Sequence, residues 1–241
     1  MAFHAILARR EALKNAKDCE TFCCLKTSDF FSMKRIMVIS DTHEDMATVR
    51  MVLAYLRDRQ VDMVIHLGDY YNDTGLLENE GHLLIKVPGT WDPHYYDPNV
   101  PNRRFIEVAG WKIFLTHTPE SHYNDLPDDL KPETIIHSCQ ADLFLFGHTH
   151  RAEIKRRNGV IMINPGHMSC DEHRGCPLTF ALLDIDAESV SASLRQLFND
   201  DPFLQKKYEK DLVYFDSWSN ELTKIKIRKN HDCSVCGKGK K

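Results

Sequence analysis

A layered α/β fold containing a parallel strand pair is predicted for this 241-residue chain. Three features carry that expectation. Short apolar runs, rich in β-branched and aromatic residues, recur between residues 35 and 197, as buried strands do. The first two runs flank a stretch of helical periodicity, the mark of a crossover between parallel strands. The runs stop at Gly, Pro, Asp or His rather than continuing, so strands give way abruptly to loops.

Taken in order, residues 2–18 place Phe3, Ile6, Leu7 and Leu13 at helical spacing and read as a partly helical N-terminal extension, residues 1–33. Strands are expected at residues 36–39, 63–65, 83–85, 113–115, 143–146, 160–163 and 180–183. Residues 47–59 bring Val49, Val52, Leu53 and Leu56 onto one helical face and form the crossover. The later strands lie closer together, with turns such as Arg157-Asn158-Gly159, and predict antiparallel pairing. Residues 88–104 form a long irregular segment rich in Pro, Asp and aromatics, a length that usually serves function. The domain is expected to span residues 34–197, followed by an extension at 198–241 with a helix near 202–212 and a strand near 222–227.

Composition narrows the function. A formal net charge of −4 offers no general attraction for nucleic acid. Arg103, Arg104, Arg151, Arg156 and Arg157 lie among acidic residues, which argues against a nuclease groove. Arg9, Arg10 and Glu11 break the first apolar run before it reaches the length of a secretory signal. No window approaches the roughly 18 apolar residues of a membrane helix. A soluble cytoplasmic protein with no membrane partner is expected, with its eight cysteines largely reduced.

The chemistry lies where the strands end. The runs lead into Asp41-Thr42-His43, Gly68-Asp69, Gly89-Thr90-Trp91-Asp92, Thr116-His117, Gly147-His148-Thr149-His150 and Asn164-Pro165-Gly166-His167. In an open α/β sheet the C-terminal strand edges face one crevice, so short loops there bring distant side chains together. Mixed carboxylates and imidazoles suit Mn, Fe, Zn or Ni rather than Mg or Ca. One Asp-x-His means little; six such endings in order point to a metal centre.

This ordered set resembles the calcineurin-like metallophosphoesterase superfamily, and within it the small single-domain phosphodiesterases. The resemblance covers residues 35–186. It implies a two-sheet β sandwich flanked by helices, a four-layer αββα arrangement. It implies two divalent transition-metal ions, the first on Asp41, His43, Asp69 and His150, the second on His117 and His148, with Asp69 bridging. The hydrolysis it implies is attack of a metal-activated water on a small-molecule phosphoester or nucleotide. Asn164-Pro165-Gly166 resembles a late family segment, with His167 in the place of a Ser. Thr90 stands where the family has an Asn ligand of the second ion, and Trp91 where it often has a His that assists the leaving group. His94, His122 and His82 are the candidate substitutes for that His, and Asp92, Asn72 and Asp73 the candidate supports of the ligands. His66, inside the second run, reads as a packed strand residue. A weakly active binding scaffold of the same fold, like the retromer subunit, is the rival reading; such scaffolds lose metal-site histidines, and this chain keeps all four.

Cysteines supply a separate expectation. Cys233 and Cys236 form a C-x-x-C-G half-site for a structural zinc. The remaining ligands would come from Cys19 with Cys23 or Cys24, from His231, or from a second subunit of a homo-oligomer. Cys170, His173 and Cys176 are a further cluster, and the alternative is a solvated basic tail.

Overall fold

The computed structural model describes residues 33–170, 177–198, 202–209, 212–216 and 221–225. The N-terminal extension, the strand end at 226–227 and the Cys233/Cys236 tail lie outside the described residues, as do His173 and Cys176. The first sheet has six strands in the order β11-β10-β9-β1-β2-β3. Its members are β1 (Lys34–Ile39), β2 (Met63–His66), β3 (Leu84–Lys86), β9 (Thr179–Ile185), β10 (Ser189–Gln196) and β11 (Pro202–Glu209). The second has five, β4-β5-β6-β8-β7: β4 (Arg103–Val108), β5 (Trp111–Thr116), β6 (Leu143–Leu145), β7 (Glu153–Arg157) and β8 (Val160–Asn164). A separate hairpin pairs β12 (Leu212–Asp216) with β13 (Glu221–Ile225).

Alternation along each strand builds the layers. On β1, Ile36 and Val38 face the second sheet and share a core with Ile113, Leu115, Leu143, Leu145, Ile161 and Ile163. Met37 and Ile39 face the other way, as period-2 geometry requires. They meet Val49, Val52, Leu53 and Leu56 of helix α1 (Met46–Arg57) and Leu77 of α2 (Gly75–Asn79). Helix α1 starts where Asp45 accepts the Thr48 amide, an ordinary N-cap. On the far side of the second sheet, Ile135 and Ile136 of α3 (Pro132–His137) cover Phe114, Phe144 and Met162. The result is the expected helix–sheet–sheet–helix sandwich.

Pairing is parallel for β1/β2 and β2/β3, as the crossover helix predicts. The expectation of antiparallel pairing in the later part holds for β4/β5, β7/β8 and β9/β10. It fails for β5/β6 and β6/β8, which are parallel, because α3 returns the chain between β5 and β6, and β7 does so between β6 and β8. The helix expected near residues 202–212 is instead β11, antiparallel to β10. Its exposed Phe203, Gln205 and Lys207 alternate with less exposed Leu204, Lys206 and Tyr208. Leu204 and Tyr208 pack on the central core, and that burial outweighs the helical propensity of Gln and Lys. Among the described residues no helix is long and apolar enough to cross a membrane.

Candidate metal centre

The parallel strands of both sheets end at one edge, where the sequence places its donors. Asp41 follows β1, Asp69 follows β2, Thr90 follows β3, His117 follows β5, and His148 and His150 follow β6. The loops are locked to one another by backbone hydrogen bonds: Asp41 N–H to Gly68 O at 2.8 Å, Gly147 N–H to His117 O at 2.9 Å, and Met168 N–H to Asp41 O at 3.1 Å. Asn164 donates to Gly147 O and to Thr149 Oγ1, both at 2.9 Å, and holds the loop that carries His148 and His150.

Glycines make room for the carboxylates. A Cβ on Gly89 would fall 1.9 Å from Asp69 Oδ1, and one on Gly147 would fall 2.8 Å from Asp41 Oδ2. Five of the six Asp and His donors, namely Asp41, His43, Asp69, His148 and His150, have positive φ between 46° and 67°. Non-glycine residues rarely adopt that region, and outliers gather at functional sites.

Asp41, His43, Asp69 and His150 each offer a ligand atom, and the four atoms lie within 4.8 Å of one another. His150 Nε2 is 3.3 Å from Asp41 Oδ1 and 3.3 Å from His43 Nε2. Asp69 reaches two ways: Oδ2 is 3.6 Å from His43 Nε2 and Oδ1 is 3.3 Å from His117 Nε2. His117 Nε2 is in turn 3.3 Å from His148 Nδ1. The His117 Nδ1 atom lies 2.7 Å from Leu67 O, which assigns the proton to Nδ1 and turns Nε2 toward the cluster. Asp41 is fully buried and accepts the His148 amide with both oxygens at 3.2 Å.

The electrostatics fit a cation. Burial opposes the charged forms of Asp69 and His117, but their mutual hydrogen bond wins. It holds Asp69 below the usual carboxylate range and His117 above the usual imidazole range. Burial and neighbouring His117 push His148 down, which keeps it a neutral donor. Thr90 is fully buried, and its Oγ1 has no hydrogen-bond partner among the described residues. A buried hydroxyl without a partner is costly, and a cation in reach of its lone pairs satisfies it. The donor set therefore suits divalent transition metals.

The candidate supports divide. Asp92 is buried and accepts the Tyr71 and His94 amides, so it braces a loop from outside the cluster. His94 packs on the Tyr71 ring at 4.7 Å. Asp73 accepts the Glu44 amide at 2.8 Å and steadies the turn after His43. His122 lies with its ring 6.0 Å from that of His148. His66 is buried in its strand and pairs with Thr42 Oγ1 at 3.2 Å. Arg103, counted in the sequence among candidate groove residues, is buried and ion-paired to Asp125 at 2.8 Å. Sequence reasoning missed Tyr70, whose ring is 5.6 Å from His43, and Tyr123, whose ring lies tilted 4.2 Å from that of His122. It noted His167 only as a replaced Ser; the ring stacks on His150 at 5.6 Å.

A buried cluster of carboxylates and imidazoles at the strand edge of an αββα sandwich defines a metal-dependent phosphoric ester hydrolase. The sequence profile of the calcineurin-like phosphoesterase superfamily domain matches residues 33–188, and the chain belongs to that superfamily. The chain is 27% identical over 165 residues to Phosphodiesterase MJ0936 of Methanocaldococcus jannaschii, covering 63% of this chain and 93% of that protein. Among solved structures, a predicted phosphoesterase from Streptococcus pneumoniae matches with a TM-score of 0.57 at 24% identity, over 74% of this chain and 98% of the other. Vacuolar Protein Sorting 29 from Cryptosporidium parvum matches with a TM-score of 0.56 at 20% identity, over 75% of this chain and all of that one. The two structural likenesses concern the fold.

Proposed function

We propose that the chain is a phosphodiesterase that works with two divalent ions. Asp41, His43, Asp69 and His150 hold the first; Asp69, Thr90, His117 and His148 hold the second. The observation that carries this reading is the divergence of the two Asp69 oxygens, one toward His43 and the other toward His117. Bound divalent ions neutralise phosphoryl oxygens and acidify water. The chain's part is to fix the donors in place beforehand, through the interlocked loops, so that little reorganisation accompanies the reaction. The Asp69 carboxylate favours a protonated His117, and a metal ion on Nε2 must displace that proton, so affinity rises with pH. The Trp91 indole N–H is far too weak an acid to protonate a leaving group as an imidazolium would, so good leaving groups are favoured. The donor chemistry admits Mn, Fe, Zn or Ni, and the reduced thiol of Cys170 suits a reducing cytoplasm.

The test is elemental analysis of protein purified without chelator, paired with turnover of a nitrophenyl phosphodiester. Bound transition metal and metal-dependent turnover are expected, with both lost in Asp69→Ala. Protein that neither carries metal nor binds added Mn would leave only the scaffold reading, which the likeness to Vacuolar Protein Sorting 29 keeps open.

A further inference from the structure

Two loops from different parts of the chain raise uncovered aromatic rings beside the second half of the metal centre. Trp91 is 66% exposed and Tyr123 75% exposed. Their ring centroids are 5.8 Å apart. His122 joins them: its ring packs tilted against Tyr123 at 4.2 Å, meets Trp91 edge-on at 6.2 Å, and lies 6.0 Å from His148. A single exposed aromatic needs no explanation. Two large ones held together against a phosphoester site do, because each leaves apolar area in water at a place where substrate must pass.

The rings are held in place beforehand. Trp91 follows fully buried Thr90. The Thr90 carbonyl accepts a hydrogen bond from Asn124 Nδ2 at 2.8 Å, which ties the two loops together. Asp125 accepts the His122 amide at 3.0 Å. The same Asp125 carboxylate accepts from Tyr95 Oη and from Arg103 Nη2, and the Arg103 side chain is only 1% exposed. A loop anchored on a buried ion pair loses little freedom when a ligand stacks on it, which is how rigid aromatics gain affinity.

We propose that Trp91 and Tyr123, whose rings meet at 68°, form an aromatic corner for the nucleobase of a nucleotide phosphoester whose phosphate sits at the metal centre, the base stacking on one ring and meeting the edge of the other. Flat aromatic faces take any base, since every base has a π-face. The exposed carboxylates of the loop that carries Tyr123, Glu120 and Asp128, offer a polynucleotide backbone no cationic track. The substrate class is therefore a small nucleotide ester rather than a strand. The assignment rests on the phosphodiesterase reading above.

The experiment is calorimetric titration of the full-length protein, with Mn present, by AMP and by ribose 5-phosphate, which share the 5′-phosphate and ribose and differ at C1′, where the second carries a hydroxyl in place of the base. Wild-type protein binds AMP about tenfold to a hundredfold more tightly, the range that stacking one base supplies. Trp91→Ala and Tyr123→Ala each lose much of that preference, and the double variant loses it all while its affinity for ribose 5-phosphate stays unchanged. Trp91→Phe retains the preference but loses the quenching of tryptophan emission that AMP causes in the wild type. Equal affinity of wild-type protein for the two ligands, or a double variant with the preference intact, overturns the aromatic corner and leaves the phosphodiesterase reading standing. Binding of neither ligand overturns both.

Discussion

Gly89→Ala isolates the close approach on which the Asp69 carboxylate depends. Gly89 does not have positive φ, so alanine is allowed by its backbone and any effect comes from space. The added Cβ would lie 1.9 Å from Asp69 Oδ1, 2.5 Å from Asp69 N and 2.7 Å from Asp69 Cα. Two of these are backbone atoms, so a side-chain rotation does not relieve the clash. Ordinary carbon contacts are about 3.5 Å, so the loops after β2 and β3 must part by roughly 1 Å. Overpacking of this kind costs about 1–3 kcal/mol. At roughly 2–4 °C per kcal/mol for a chain of this size, the melting temperature falls noticeably while the fold persists. A displacement of roughly 1 Å at a reacting centre costs on the order of a hundredfold in rate. The variant should thus lose on the order of a hundredfold in kcat on a nitrophenyl phosphodiester and bind metal more weakly, as read by elemental analysis after dialysis. Gly75→Ala is the control, because nothing lies within 4 Å of its added Cβ. A Gly89→Ala protein with wild-type metal content and turnover would refute the reasoning.

Two further predictions follow from buried groups at the same edge. Thr90→Asn gives the second half of the centre an amide oxygen in place of a hydroxyl; titration of activity with Mn should show two steps, the looser one tightening by roughly tenfold, and superimposable titrations would count against Thr90 as a ligand. His66 is fully buried, and burial holds its pKa down to about 4 from 6.5. The folded form therefore resists the proton that the unfolded chain accepts. Stability is complete above pH 6.5, declines as pH falls toward 4 and levels off below it, by about 3 kcal/mol in all. Urea unfolding across that window should show the slope in the wild type and a shallower one in His66→Gln; equal slopes would remove His66 as the cause.

The donors were legible because each stands directly after an apolar run, and period-2 patterning places such positions at a sheet edge. Strands β4 and β7 were harder to see. Arg104 and Glu107 on β4, and Lys155, Arg156 and Arg157 on β7, are exposed, so these strands lack the continuous apolar character that marks the central ones. On β11 the charged residues imitate a surface helix, and only pairing with β10 shows the period. Trp91 and Tyr123 are 32 positions apart, joined by a hydrogen bond between loops that have no periodicity. No local pattern in the sequence reports such a meeting. The burial of Arg103 was invisible for the same reason: Asp125, Asp129 and the Leu130 carbonyl reach it from the loop preceding α3.

The left-handed backbone at Asp41, His43, Asp69, His148 and His150 sets durability against activity in this chain. A side chain in that conformation costs roughly 1–2 kcal/mol, less for Asp. Five such residues together approach the whole stability margin of an ordinary domain, about 5–15 kcal/mol. Glycine would relieve the strain at every one of these positions and would supply no donor at any. A copy of the gene released from selection for catalysis would therefore drift toward glycine at these sites and become sturdier as it fell silent. Strain gathered at five positions of one cluster is what function asks of a fold and stability alone does not.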